Sequence, residues 1–288
     1  MALNSLQDLI SNRKKWIEST KENNFNLDDL LAKPYSDPAH FIFELLQNAD
    51  DAGATQVEFE LNSDCFVMRH NAKKDFDLED IKGVTGIGNS PKKDELRPIG
   101  KFGLGFKSVF AITNSPIIYS GDFRIMIRNF VLPIPIDGPL SIDGTQIILP
   151  FNNPSVPEGK AYEIISSMLF NLEPRTIMFL NNIKEIRRIS LNSNDFISKS
   201  TRKLLKFGKV NDVKITTKTV QENYLIFYKH FIIEGANLKA EIAYKLGKSK
   251  NGRKTILPLD QTSKLVVYFP TEKETFLNFI VQGPYNLL

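Results

Sequence analysis

The segment Glu44 to Ala54, E-L-L-Q-N-A-D-D-A-G-A, places Glu44, Asn48 and Asp51 at i, i+4 and i+7. On a helix these three side chains project from one face and present carboxylate and amide oxygens together. The Asn48 carbonyl suits Mg2+, which keeps several of its waters and takes few protein oxygens. Glu44, one turn earlier, is positioned to accept a proton from a water aimed at a terminal phosphate, with Asp51 nearer a nucleobase. Taken alone, the same pattern also describes an amphipathic helix with a solvated acidic face.

About fifty residues later the chain reads I-G-K-F-G-L-G-F-K-S, from Ile99 to Ser108. Gly100, Gly103 and Gly105, with Phe102 and Leu104 between them, permit close backbone approach, and the run Phe106, Val109, Phe110, Ala111 and Ile112 predicts a helix starting there. A glycine turn feeding a helix N-terminus is an anion site, to which Lys101 and Lys107 add positive charge. No G-x-x-x-x-G-K-[ST] occurs, and Ser108 stands where a dinucleotide fingerprint needs its third glycine. A tight turn in a packed core is the plainer reading of the glycines. Read with the Glu44 stripe, they make Mg-nucleotide the expected ligand. Between the two segments lies Thr85 to Pro98, with Gly86, Gly88, Pro91 and Pro98. It reads as a lid that could bring Lys92 and Lys93 to phosphates, or as a passive surface loop.

The elements that must position these groups alternate helix and strand. Phe41, Leu45, Leu46, Ala49 and Ala52 give the first helix an apolar side to pack on a sheet. Strands are predicted near 55–61, 65–69, 116–120, 123–129 and 145–150, and helices near 78–83 and 159–170. A strand near 176–180 completes this part. Beyond about residue 183, period-two runs at 224–233, 238–246 and 264–269 predict a β-rich second domain. The expected class is α+β, with a mixed sheet covered by helices on one face in residues 1–182 and the β-rich domain in 183–288.

The order of these motifs resembles the ATPase superfamily of gyrase, heat-shock chaperone, histidine kinase and MutL proteins, whose ATP pocket is the Bergerat fold. Glu44 to Gly53 is similar to its N-box, Ile99 to Phe106 to the chaperone glycine box, and Asp143 to Pro150 (D-G-T-Q-I-I-L-P) to the late strand whose threonine, here Thr145, contacts adenine. Where the superfamily has an aspartate for the adenine amine, aligning Phe76 on the family's apolar residue places Asn71, whose carbonyl is also an acceptor. The combination with His70-Asn71 looks most like the sacsin and NO VEIN group and its bacterial relatives. Coverage runs over roughly residues 25–150, and the closing F-I-V-Q-G-P-Y also resembles a downstream segment of bacterial relatives.

That resemblance implies ATP and Mg2+ as ligands, hydrolysis with Glu44 as general base, lid closure, and a conformational change or ATP-dependent homodimer in a larger sacsin-like or chaperone-like protein with its own client. Slow turnover is expected of the isolated chain, because relatives complete the γ-phosphate site with a basic residue downstream, and that group and the dimer are expected to need residues beyond Leu288; Lys264 in Q-T-S-K faintly resembles that lysine. The alternatives are a histidine-kinase-type phosphotransferase, whose N-box usually has asparagine at the Glu44 position, and a non-hydrolysing nucleotide-binding or nucleic-acid-sensing module.

Composition fits. The 288 residues, 42% hydrophobic, can bury a substantial core. One cysteine, Cys65, excludes an internal disulfide and suits a cytoplasmic location. No leader or membrane span is expected, and His40, His70 and His230 lack metal-ligand spacing. Residues 1–154 carry 16 Lys and Arg against 21 Asp and Glu, whereas residues 155–288 carry 21 against 12. Basic residues cluster at Arg202, Lys203, Lys206 and Lys209 and again from Lys245 to Lys254. They could meet nucleic acid phosphates, although a solvated face is the commoner use of such clusters.

Overall fold

The computed structural model describes residues 2–23, 41–86, 105–204, 208–233 and 235–284. They divide into two units: residues up to 171 together with 187–194, and residues 172–186 with 195–284.

In the first unit, helix α2 (Phe41–Asp51) follows α1 (Ala2–Glu22). Apolar spacing makes α2 amphipathic: Phe41, Ile42, Leu45, Leu46 and Ala49 are buried, while Asn48 and Asp51 are exposed. Gly53, at φ +83°, stops the helix in the left-handed conformation. Its N–H bonds to Asp50 O, and the Ala54 N–H bonds to Ala49 O, the paired bonds of a Schellman end. The D-A-G-A stretch is therefore a helix stop that aims the chain into β1.

Strands β1 (Gln56–Leu61), β2 (Cys65–His70), β3 (Ile117–Ser120), β4 (Phe123–Arg128), β5 (Leu132–Pro135) and β6 (Thr145–Pro150) lie in the order β1-β2-β6-β3-β4-β5, all antiparallel. Register puts Phe59, Met68, Ile147, Ile118 and Ile125 on one face. Helix α2 packs there, with the Phe41 ring edge-on to Phe66 at 5.5 Å. The reverse face of β1 and β2 is polar, with Arg69 bridging Glu58 and Glu60 at 3.2 and 2.6 Å. One apolar and one charged face is the alternation that a half-covered antiparallel sheet requires. Helix α3 (Leu78–Thr85) opens on a reciprocal Asp77/Asp80 capping box, and α4 (Glu158–Phe170) buries Ala161, Ile165 and Leu169.

The helix expected after the glycines is present as a 3₁₀ helix, Gly105–Ala111. Its seven residues are too few to rely on helix propensity, and Phe106, Val109 and Phe110 are instead held by burial. Strand β5, unread in the sequence, contains Pro133 and Pro135, which exclude a central strand but are tolerated at the edge position it occupies. The expected strand at 176–180 is a 3₁₀ turn, Pro174–Ile177, because Pro174 sets the first φ and donates no hydrogen bond.

Strand β7 (Glu185–Ser190) and the start of β8 (Ser193–Lys203) are divided between the units. The second unit continues as β8, β9 (Val210–Thr216), β10 (Gln221–Ile233) and β11 (Ala236–Lys248), each antiparallel to the next. β12 (Lys254–Leu257) and β15 (Ile280–Gln282) also pair with β11, β13 (Lys264–Val267) runs parallel to β15, and β14 (Phe269–Glu274) folds back on β13. The chain is thus α+β with mixed strand pairing and a β-rich C-terminal part, as expected. The predicted strand 264–269 breaks at Tyr268, whose φ of +66° reverses the chain. Inside this unit, the fully buried Tyr224 accepts from Arg175 Nε at 2.9 Å and donates to Glu222 at 2.8 Å, while Lys245 reaches Glu222 at 2.8 Å. Burial, together with the neighbouring Glu222 carboxylate, pushes the Tyr224 phenol well above its ordinary value against the pull of Arg175.

Candidate functional site

The α2 stripe meets Gly105, the last glycine of the glycine segment. Helix α2 packs against the 3₁₀ helix, and the Gly105 backbone lies directly against the Glu44 carboxyl. A Cβ at position 105 would fall 2.9 Å from Glu44 Cδ and overlap Oε2. A side chain at position 105 would therefore displace the Glu44 carboxyl from its present place. Glu44 is half-buried, and Asn48 and Asp51 are exposed on the same side of α2. Gly88, Gly100, Lys101, Phe102, Gly103 and Leu104, and residues 87–98 of the lid expected over 85–98, lie outside the described residues.

Phe106 is buried behind Gly105. Lys107 is placed differently from the expectation that it meets phosphate. Its side chain is 1% exposed, and Nζ donates to Val84 O at 2.6 Å and to Phe130 O. The ammonium is spent on two backbone carbonyls. Desolvation, with a smaller push from the Arg13 guanidinium, lowers its pKa to about 7. Gly86 likewise leaves the expected lid and ends α3, its N–H bonded to Gly83 O at 3.2 Å.

The Lys107 burial makes a pH prediction. The folded value lies below the ordinary 10.5, so between about 7 and 10.5 the unfolded chain holds the extra proton. Stability contributed through this group therefore rises with pH across that window and is flat below it, with a slope of up to about 1.4 kcal/mol per pH unit. Urea unfolding of wild type and Lys107→Met at pH 7, 8 and 9 should show wild type gaining on the variant at each step. Parallel profiles would mean the ammonium is not desolvated.

Asn71 is also corrected. Its Oδ1 accepts from the N–H groups of Thr55 and Gln56, both at 2.9 Å, and its Nδ2 donates to Thr55 Oγ1 at 2.9 Å. The carbonyl expected to meet an adenine amine is thus committed to tying the end of β2 to the start of β1, and both of its lone pairs are used. Thr145 is buried, with Oγ1 2.6 Å from Ser120 Oγ, which in turn accepts from the Phe76 N–H at 3.0 Å. Gly144, at φ +74°, passes so close to the His70 carbonyl that a Cβ would overlap it.

Sequence reasoning missed the row this creates. His70, Thr145 and Ser120 are register partners across β2, β6 and β3, all on the apolar face and all buried. His70 Nδ1 accepts from the Ala72 N–H at 3.3 Å, and burial pulls the imidazole down to about 4, so it is neutral at pH 7. The signal was present in the alternation, since His70 and Ser120 occupy core-phase positions after Met68 and Ile118. A neutral polar row facing the 71–77 segment can direct hydrogen bonds without carrying charge. Among the described residues no group of three or more His, Cys, Asp or Glu is placed to hold a metal. The Asn48 amide and the Glu44 and Asp51 carboxylates of α2 form a hard-oxygen donor set, which fits Mg2+ completed by water and phosphate. No described helix is long and apolar enough to cross a membrane.

The fold and site thus define an α+β chain in which the Glu44 carboxyl of a helix-borne carboxylate–amide stripe abuts Gly105. Residues 63–129 match the Sacsin domain family, in line with the resemblance of the motifs. Human sacsin is 37% identical over 112 residues, 33% of this chain and 2% of sacsin. Protein NO VEIN of Arabidopsis thaliana is 39% identical over 95 residues, 31% of this chain and 3% of that protein. The chain therefore spans only a few per cent of the length of these curated relatives. Among solved structures, the N-terminal domain of a DNA repair protein aligns with TM-score 0.48 and 11% identity, covering 88% of this chain and 85% of its own. The ATPase domain of Aquifex aeolicus MutL aligns with TM-score 0.42 and 12% identity, covering 86% and 88%. Likenesses this distant carry no functional argument.

Proposed function

We propose that residues 1–182 form an Mg-ATP-binding domain that hydrolyses ATP slowly, and that the β-rich residues 183–288 pass the resulting change to a larger sacsin-like or chaperone-like protein, through lid closure or an ATP-dependent dimer. The observation that carries this reading is the seat of the Gly105 backbone against the Glu44 carboxyl. It joins two segments, remote in sequence, whose chemistries are complementary: bare amides for phosphate, and a carboxylate for the attacking water. In this reading Asn48 holds the metal, Asp51 lies toward the base, Glu44 takes the proton from water, and residues 100–105 surround the phosphates with Lys101 adding charge. Bound Mg2+ supplies charge neutralisation between the terminal phosphates. Thr145 and its neighbours Ser120 and His70 face the base side, and Asn71 acts there only by tying the end of β2 to the start of β1.

Isothermal calorimetry tests the pocket. Asn48→Ala removes an exposed side chain and leaves the fold intact, and Mg-dependent ATP affinity should fall about tenfold or more. Unchanged affinity in a folded Asn48→Ala protein would remove the metal assignment.

A further inference from the structure

One residue from each basic cluster, Arg202 and Lys254, is brought to one face of the second unit's sheet. Arg202 of β8 and Lys254 of β12 bind the same oxygen, Asp212 Oδ2 of β9, at 2.7 and 2.9 Å. The two cations remain 72% and 62% exposed, while the shared carboxylate is 13% exposed. One carboxylate thus gathers two cations and leaves a surplus of positive charge. Lys248 stands directly opposite Lys254 in the β11–β12 register, a like-charge pair that is unfavourable without an anion nearby.

These cations rim an open hollow of about 440 Å³ whose apolar walls are Leu204, Leu225, Leu246 and Ile256. The register continues this apolar face away from the rim through Phe227 and Ile242, which are 41% and 37% exposed, with Tyr244 edge-on to Phe227 at 6.0 Å. Ile256 itself is 51% exposed. β12 forms a ladder with β11, and its other edge carries none among the described residues.

We infer that this face docks an extended acidic polypeptide segment in which aliphatic side chains alternate with carboxylates. Aliphatic groups enter the hollow, and carboxylates meet the cation rim that borders it on the same face. An aliphatic floor in the hollow favours such a peptide over single-stranded nucleic acid, which uses aromatic platforms for its bases. Charge complementarity selects an acidic partner and steers its approach. The inference is independent of the nucleotide reading, because it concerns the second unit alone.

Fluorescence anisotropy on the full chain, without ATP, tests it with a short labelled peptide alternating leucine and aspartate. Polyglutamate of equal length and an oligothymidylate serve as comparison probes. The leucine–aspartate peptide should bind best, and binding should weaken as salt is raised. The Arg202→Glu, Lys254→Glu double variant and, separately, Ile256→Asp should each weaken it about tenfold. Circular dichroism checks the fold of both, and Ile256→Ser replaces Ile256→Asp if the latter unfolds. Equal binding of polyglutamate would reduce the face to a charge patch, tighter binding of oligothymidylate would make it a nucleic-acid surface, and no binding by the leucine–aspartate peptide would leave no docking site; each result overturns the inference.

Discussion

Glu44→Ala should retain ATP and lose turnover, by roughly 10²–10⁴-fold, the range a general base contributes. The expected split follows from position. Glu44 lies one turn before Asn48 on α2, and its carboxyl lies against the Gly105 backbone rather than at the exposed Asn48 end of the stripe. Removing the carboxylate takes a negative charge from beside the proposed phosphates, so ATP affinity should hold or rise. The measurement is single-turnover hydrolysis with ATP binding determined on the same samples, in the full-length protein as well as in this chain. A variant that binds ATP and hydrolyses it at the wild-type rate would make Glu44 a structural carboxylate and end the hydrolytic reading. One that loses binding as well would shift Glu44 from base to ligand support.

The parts of this site that were legible in the sequence are those set by local periodicity. The α2 stripe follows from 3.6-residue spacing, and the strands at 56–61, 65–70 and 145–150 from alternation over short runs. What escaped was set by contacts between distant segments. The Asn71 carbonyl is claimed by backbone N–H groups sixteen and fifteen residues away, and Lys107 by carbonyls twenty-three residues away on either side. Neither pairing leaves a mark in spacing, so both residues read as ligand contacts when considered by type and motif alone. The same holds for the two basic clusters, which look like separate solvated runs until β8, β9 and β12 deliver Arg202 and Lys254 to one Asp212 oxygen. Prolines act in a different way: Pro133 and Pro135 lie in an edge strand that no expectation named, and Pro174 sits at the head of a turn where a strand was expected.

Gly105→Ala should couple to Glu44 in both stability and rate. In wild type the added Cβ meets Glu44 Oε2 inside contact distance and Cδ at 2.9 Å, so either the carboxylate swings away or the turn shifts. Because the obstructing atoms end a flexible side chain, the cost should fall at the low end of the about 1–3 kcal/mol that core overpacking takes. A carboxylate displaced by about 1 Å from a water it must orient can lose about 10²-fold in rate. In a Glu44→Ala background the obstructing atoms are gone, and the same Gly105→Ala change should cost little stability and no further turnover. A double-mutant cycle measures this directly: urea unfolding and single-turnover rates for wild type, both single variants and the double variant should give a coupling of about 1 kcal/mol or more between the two positions. The Gly105→Ala penalty belongs to the glycine's own backbone if it persists undiminished after Glu44 is removed, and the close approach of turn and carboxylate would then have no energetic meaning. If instead the penalty vanishes with the carboxylate, the glycine turn and the N-box act as one unit, and a residue identity in one segment is fixed by a side chain sixty-one positions away in the other.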